Sequence, residues 1–148
     1  MKRPDGIILS ISGSKLTNEE KSFFQETNPF GFVLFRRNFR DKYQLKKLIS
    51  ELKQLTKNNS PLVFVDQEGG KVQRFSNNEF TKFPPQSVFG NIFKKNKNKA
   101  IKLSYLTSYL IGWELKEVGI DINFSPVCDL LFSGAHKIIG NRSFSDNP

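Results

Sequence analysis

Apolar positions in this chain fall into two patterns that alternate, short unbroken runs and stripes at helical spacing. Residues 6–12, with Ile7, Ile8, Leu9 and Ile11, read as a first strand turned by Gly13 and Ser14. Thr17 with Glu20 three positions on is a capping-box signature, so a helix is expected from there to about Glu26, stopping before Pro29. Residues 31–35 read as a second strand. Asp41 can cap a second helix, in which Leu45, Leu48, Ile49, Leu52 and Leu55 draw one stripe, and Asn58-Asn59-Ser60-Pro61 ends it. Leu62 to Val65 is a short apolar run without alternation, which fits a strand buried on both faces. Phe83-Pro84-Pro85 excludes a helix at that point, and Phe89-Gly90 suggests a turn. A third long helix is expected from about Asn98, with Ile101, Tyr105, Leu106, Leu110 and Trp113 near helical spacing and Gly119 as C-cap. Residues 120–124 alternate and read as a fourth strand, and residues 130–148 read as a loop.

Strands and helices thus alternate, which implies an α/β fold with a parallel sheet and right-handed crossovers. An open doubly wound sheet and a segment of a (β/α)8 TIM barrel both have this order. A doubly wound sheet usually carries a glycine-rich phosphate loop after its first strand, and Gly13 alone does not supply one. A whole barrel needs about 250 residues. The 148 residues therefore correspond to a partial barrel, about the first four βα units, in one incomplete domain over residues 1–148.

Composition narrows the function classes. Hydrophobic residues make up 37% and phenylalanine alone supplies 15, enough for a core and too many for a disordered chain. The single cysteine, Cys128, allows no internal disulfide and fits a reducing compartment. No apolar run approaches the ~18 residues of a membrane span. The start Met1-Lys2-Arg3-Pro4-Asp5 is basic, but the apolar stretch after it is too short for a signal peptide. A cytoplasmic protein with no membrane partner is expected. The net charge of +9 raises nucleic-acid binding. The lysines, however, are scattered over residues 42–57 and 94–102 among asparagines, as on solvated helix faces, so no specific nucleic-acid partner is expected.

Candidate chemistry gathers just past the third strand, where α/β folds place their sites. Asp66, Glu68 and Arg74 crowd that point around Gly69-Gly70. Asp66 and Glu68 offer the paired carboxylates of a glycosidase, although the glycines leave the direction of Glu68 open. An Asp–Arg pair there can equally be a buried ion pair that shapes a loop. Asp129 ends the fourth strand and faces the same rim. His136 reads as a loop residue, and Cys128, with no histidine near it in sequence, as a packed thiol. No His, Cys or carboxylate cluster has metal-ligand spacing, and no cofactor is expected.

Four segments in order carry a resemblance: 31–39 (Gly-Phe-Val-Leu-Phe-Arg-Arg-Asn-Phe), 66–74 (Asp-Gln-Glu-Gly-Gly-Lys-Val-Gln-Arg), 119–129 (Gly-Ile-Asp-Ile-Asn-Phe-Ser-Pro-Val-Cys-Asp) and 139–144 (Ile-Gly-Asn-Arg-Ser-Phe). Together they resemble the N-terminal part of glycoside hydrolase family 3, most closely its bacterial β-N-acetylhexosaminidases of peptidoglycan recycling. The resemblance implies a (β/α)8 barrel and a substrate ending in β-linked N-acetylglucosamine. It assigns Asp66, Arg74 and Arg142 to sugar binding, with Asp129 placed near the pocket. It implies no catalytic residue here: the family's Asp nucleophile lies on a later strand, and its His acid/base on a loop after a Lys-His-Phe-Pro-Gly-His type motif. Glu68 then supports the loop. Ser10 departs from the family's frequent acidic residue on the first strand. The implied partners are an N-acetylglucosamine-containing saccharide and either a C-terminal half-barrel polypeptide or a second copy. A non-catalytic carbohydrate-binding module and a decayed fragment are the alternatives.

Overall fold

The computed structural model describes residues 5–56 and 61–147. The basic start at Met1 to Pro4, the helix-ending Asn58-Asn59-Ser60 and Pro148 lie outside them. Four strands form one parallel sheet: β1 (Asp5–Ser10), β2 (Pro29–Leu34), β3 (Leu62–Val65) and, after a hairpin of β4 (Gln67–Gly69) with β5 (Val72–Gln73), β6 (Ile122–Asn123). Their order in the sheet is β1-β2-β3-β6, each neighbour the next parallel strand along the chain. Among the described strands the order never reverses, so they hold no switch point of the doubly wound kind. This is the α/β arrangement expected of successive barrel units.

Helices α1 (Asn18–Thr27), α2 (Lys42–Leu55) and α4 (Lys97–Val118) serve as crossovers, with short α3 (Ser87–Phe93) ahead of α4. The capping box closes as the sequence implies. Glu20 N–H donates to Thr17 Oγ1 at 3.1 Å, and Thr17 N–H donates to the Glu20 carboxylate at 2.9 Å. Asp41 caps α2 through Gln44 N–H at 2.7 Å. Phe32, Leu34, Val63 and Val65 pack one face of the sheet against Phe24 and the α2 stripe Leu45, Leu48, Ile49, Leu52 and Leu55.

Two expectations need correction. The fourth strand is only Ile122–Asn123, because Ile120 N–H is taken by Leu115 O in the α4 cap. Phe89-Gly90 is not a turn but the middle of α3. Gly90 is there for closeness: a Cβ would lie 1.6 Å from the Phe144 carbonyl oxygen. The buried face of α4 lies apart from the stripe of Ile101, Tyr105, Leu106, Leu110 and Trp113. That face is Ala100, Ile111, Leu115 and Val118, and the stripe is exposed. A helix apolar on two faces cannot reveal from spacing alone which one meets the sheet.

Candidate functional site

The site is organised by the point where β3 stops. Asp66 is the first residue beyond it, and the chain then enters the β4–β5 hairpin. Gly69 and Gly70 make that turn at φ 97° and 61°, a region that strains other residues. Space excludes a side chain as well: a Cβ on Gly69 would lie 2.5 Å from Pro84 O. Gln67 fastens the hairpin. Its buried amide donates to Phe75 O at 3.0 Å and accepts from Phe75 N–H at 3.1 Å. Asn123 on β6 grips the Gln67 backbone from the other side, at 2.9 and 3.0 Å.

The hairpin folds Arg74 back onto Asp66. Nη2 donates to Asp66 Oδ2 at 2.7 Å, with both side chains partly exposed. Arg74 Nε is buried with no hydrogen-bond partner among the described residues. Phe35, at the end of β2, carries two guanidinium groups over its ring, Arg37 at 4.7 Å and Arg74 at 5.8 Å.

Arg142 reaches the same rim from far along the chain, on a 3-10 turn over Gly140–Arg142. It docks as a fork on Glu68, Nε to Oε2 at 2.9 Å and Nη2 to Oε1 at 2.7 Å. The Glu68 side chain is only 3% exposed. Hydrogen bonding to Glu68 holds the Arg142 guanidinium above its usual range against burial, and the charges of Glu68, Asp129 and Asp66 add to this. Ser143 fixes the turn, its single hydroxyl hydrogen shared between the Asp129 and Ser145 carbonyl oxygens at 2.6 and 2.7 Å.

The expected residues Asp66, Arg74 and Arg142 therefore gather at one rim, with Asp129 close enough to act on Arg142. Asp129 itself is exposed and anchors through its backbone carbonyl. Both oxygens of Glu68 are engaged by Arg142, as suits a support and not a proton donor. Cys128 is exposed, with a weak contact to Pro126 O at 3.9 Å, so the expectation of a packed thiol is corrected. It follows a cis Ser125–Pro126 bond in irregular chain past β6. His136 lies in a surface turn, as expected, accepting from Ile138 N–H. Two further residues had no sequence signal. Asn123 acts only through the β3–β6 register. Gln86 is buried beside Ser125, with Nε2 at 3.5 Å from Ser125 Oγ and Oε1 without a hydrogen-bond partner among the described residues.

Chemically, the rim alternates acceptor and donor. Carboxylates accept pairs of hydroxyl hydrogen bonds, and guanidinium groups donate to hydroxyl or carbonyl oxygens. Among the described residues, no group of three or more His, Cys, Asp or Glu could hold a metal ion. No described helix is long and apolar enough to cross a membrane. A groove of about 790 Å3 between α3, α4 and residues 126–130 includes Asp129 but not Asp66, Glu68, Arg74 or Arg142. The carboxylate–arginine rim is instead open, since among the described residues no layer covers one face of the sheet: Ile8, Ile122 and Phe124 are exposed there.

Residues 5–148 match the glycosyl hydrolase family 3 N terminal domain. The chain is 38% identical over 149 residues to a beta-hexosaminidase of Chromobacterium violaceum, spanning 100% of this chain and 41% of that one. It is 34% identical over 145 residues to a beta-hexosaminidase of Bordetella avium, 98% and 41% of the two chains. Among solved structures, NagZ from Neisseria gonorrhoeae in complex with N-trifluoroacetyl-D-glucosamine superposes with a TM-score of 0.90 at 39% identity, covering 98% of this chain and 42% of that one. The chain thus spans about two-fifths of the length of the relatives it matches.

Proposed function

This chain belongs to glycosyl hydrolase family 3, and we propose on that premise that it forms the sugar-binding wall of a β-N-acetylhexosaminidase site. The substrate is a saccharide ending in β-linked N-acetylglucosamine, of the kind released in peptidoglycan recycling. The observation that carries this reading is the two ion pairs, Asp66–Arg74 and Glu68–Arg142, at the C-terminal end of β3. Asp66 accepts from adjacent sugar hydroxyls. Arg74 and Arg142 donate to hydroxyl or N-acetyl oxygens, each kept in place by a carboxylate. Asp129 sits at the edge of the pocket.

Bond cleavage with retention needs a nucleophile and an acid/base. At this rim Asp66 and Glu68 are both committed to arginines, and His136 lies in a surface turn. These catalytic groups therefore come from further βα units, which complete the sheet along β1 and β6. A polypeptide carrying those units is the expected partner, and a second copy of this chain is the competing one. The site is cytoplasmic and needs no metal or cofactor.

The test is twofold. N-acetylglucosamine titrated into the chain should perturb the amide resonances of residues 66–74 and 140–143, and Asp66→Asn should remove the response. A chromogenic N-acetylglucosaminide should not be turned over by the chain alone. Turnover by the isolated chain, or a sugar response untouched by Asp66→Asn, would sink the proposal.

A further inference from the structure

We propose that Asn123 is a positioning residue for the sugar-binding rim: from β6 it sets where Asp66 and Arg74 stand relative to each other. Two side-chain amides act in series. The Asn123 amide takes both backbone groups of one residue, accepting from Gln67 N–H at 2.9 Å and donating to Gln67 O at 3.0 Å. The Gln67 amide does the same one step on, accepting from Phe75 N–H at 3.1 Å and donating to Phe75 O at 3.0 Å. Asp66 stands immediately before the first gripped residue and Arg74 immediately before the second. The relay that closes their 2.7 Å ion pair therefore begins on β6. On the strand side, Phe124 N–H donates to Val65 O at 2.9 Å, so β6 holds the chain on both sides of Asp66.

Asp66 is the one residue between the end of β3 and the start of β4, so it is the joint between sheet and hairpin. Arg74 belongs to the hairpin side. The hairpin has its own ties, Gln73 Nε2 to Thr81 O at 2.8 Å and Phe83 N–H to Gln73 Oε1 at 3.1 Å, but these fasten it to residues 81–83 and not to the sheet. A hairpin released from Asn123 can pivot on Asp66, turning that carboxylate and carrying Arg74 with it. The chemistry also selects a carboxamide at position 123. Gripping the N–H and C=O of one residue needs an acceptor and a donor side by side. A carboxylate only accepts, and a hydroxyl has a single oxygen and a single hydrogen. Gln67 is 1% exposed, so water does not readily replace the lost partner. The far end of the same strand pair is tied differently: Asp121 accepts from Val63 N–H at 2.9 Å and from Lys53 at 2.8 Å. That contact joins the same two strands three residues short of Asp66, and so supplies a control for a purely structural role.

The consequence for affinity rests on the sugar-binding reading above, while the Asp66–Arg74 geometry is read without sugar. The intact, nitrogen-15-labelled chain is followed by two signals, the Arg74 Nε–H resonance and the titration with N-acetylglucosamine. Asn123→Ala should displace the Arg74 resonance and weaken sugar binding about tenfold, the worth of one charge-assisted hydrogen bond put out of place. The amides of α1 and α2 should stay where they are. Asn123→Asp keeps the size of the side chain and carries the test if the alanine variant does not fold. It should behave like Asn123→Ala at about pH 7 and move back toward the parent at about pH 5. There the new carboxyl, once protonated, can again donate to Gln67 O, and that carbonyl favours the protonated form. Asp121→Ala should lower the melting temperature and move neither signal. An Arg74 resonance unmoved in the Asn123 variants overturns the proposal, as does an equal displacement by Asp121→Ala, or Asn123→Asp showing no recovery in acid. A parent chain that ignores N-acetylglucosamine would remove the binding reading instead, and the Arg74 resonance would still decide this one.

Discussion

Among the described residues, Glu68 and Arg142 form the one ion pair with a nearly inaccessible partner, and removing either member should have unequal consequences. The Glu68 side chain is 3% exposed and that of Arg142 is 23% exposed. Arg142→Met leaves a carboxylate in the interior with two empty acceptor positions that water cannot easily reach. Breaking a buried pair in this way costs about 3–5 kcal/mol. Glu68→Met leaves a guanidinium that can swing its exposed edge into solvent, so its loss should be smaller, about 1–3 kcal/mol. Glu68→Met/Arg142→Met removes both charges and leaves nothing unpaired, so it should fall well below the sum of the singles, within about 2 kcal/mol of the parent. Urea unfolding followed by far-UV circular dichroism gives the three differences, provided the slope with denaturant stays constant. A double variant that costs the sum of the singles would refute the reasoning, because the pair would then be two independent contacts. So would a Glu68→Met penalty larger than that of Arg142→Met.

Two other outcomes follow from local geometry. Gly90→Ala sets a methyl against the Phe144 carbonyl, which must move away. The expected loss is about 1–3 kcal/mol, with faster amide exchange over residues 140–146 than over α2, read by hydrogen–deuterium exchange. Acid should weaken the N-termini of α1 and α2. Backbone hydrogen bonding from Gln44 holds the Asp41 carboxyl below its usual range. Burial pushes the Glu20 carboxyl up, but the backbone groups of Thr17 and Ser12 together outweigh it and hold it below. A carboxyl depressed in the folded state contributes stability above its unfolded value, near 4, and loses it as pH falls through the folded value. Melting temperature should therefore drop below about pH 4, and Asp41→Asn/Glu20→Gln should flatten the drop. An unchanged slope in that variant would rule out these two caps as the cause.

Much of the architecture is legible in local pattern, because the physics involved is local. Thr17 and Glu20 announce a helix start because the capping box needs only those two residues. Leu45 to Leu55 announce the buried face of α2 because only one face is apolar. Leu62 to Val65 announce an interior strand, and the polar residues after it mark the rim. The resemblance added Arg142, which spacing could not have tied to residues 66–74. The short fourth strand and α3 escaped, since one is cut by the α4 cap and the other is set by contact with Phe144.

By itself the sequence determined the order of strands and helices, their parallel direction, and the residue types collected after β3. Only the tertiary structure decided the partnerships: Arg74 with Asp66 through a hairpin, Arg142 with Glu68 across 74 positions, and Asn123 locking Gln67 between adjacent strands. It also decided that α4 turns Ala100, Ile111, Leu115 and Val118 inward and leaves Tyr105, Tyr109 and Trp113 outside. Helix periodicity identifies faces, but which face is buried depends on what the sheet and the neighbouring helix present, and that is written elsewhere in the chain.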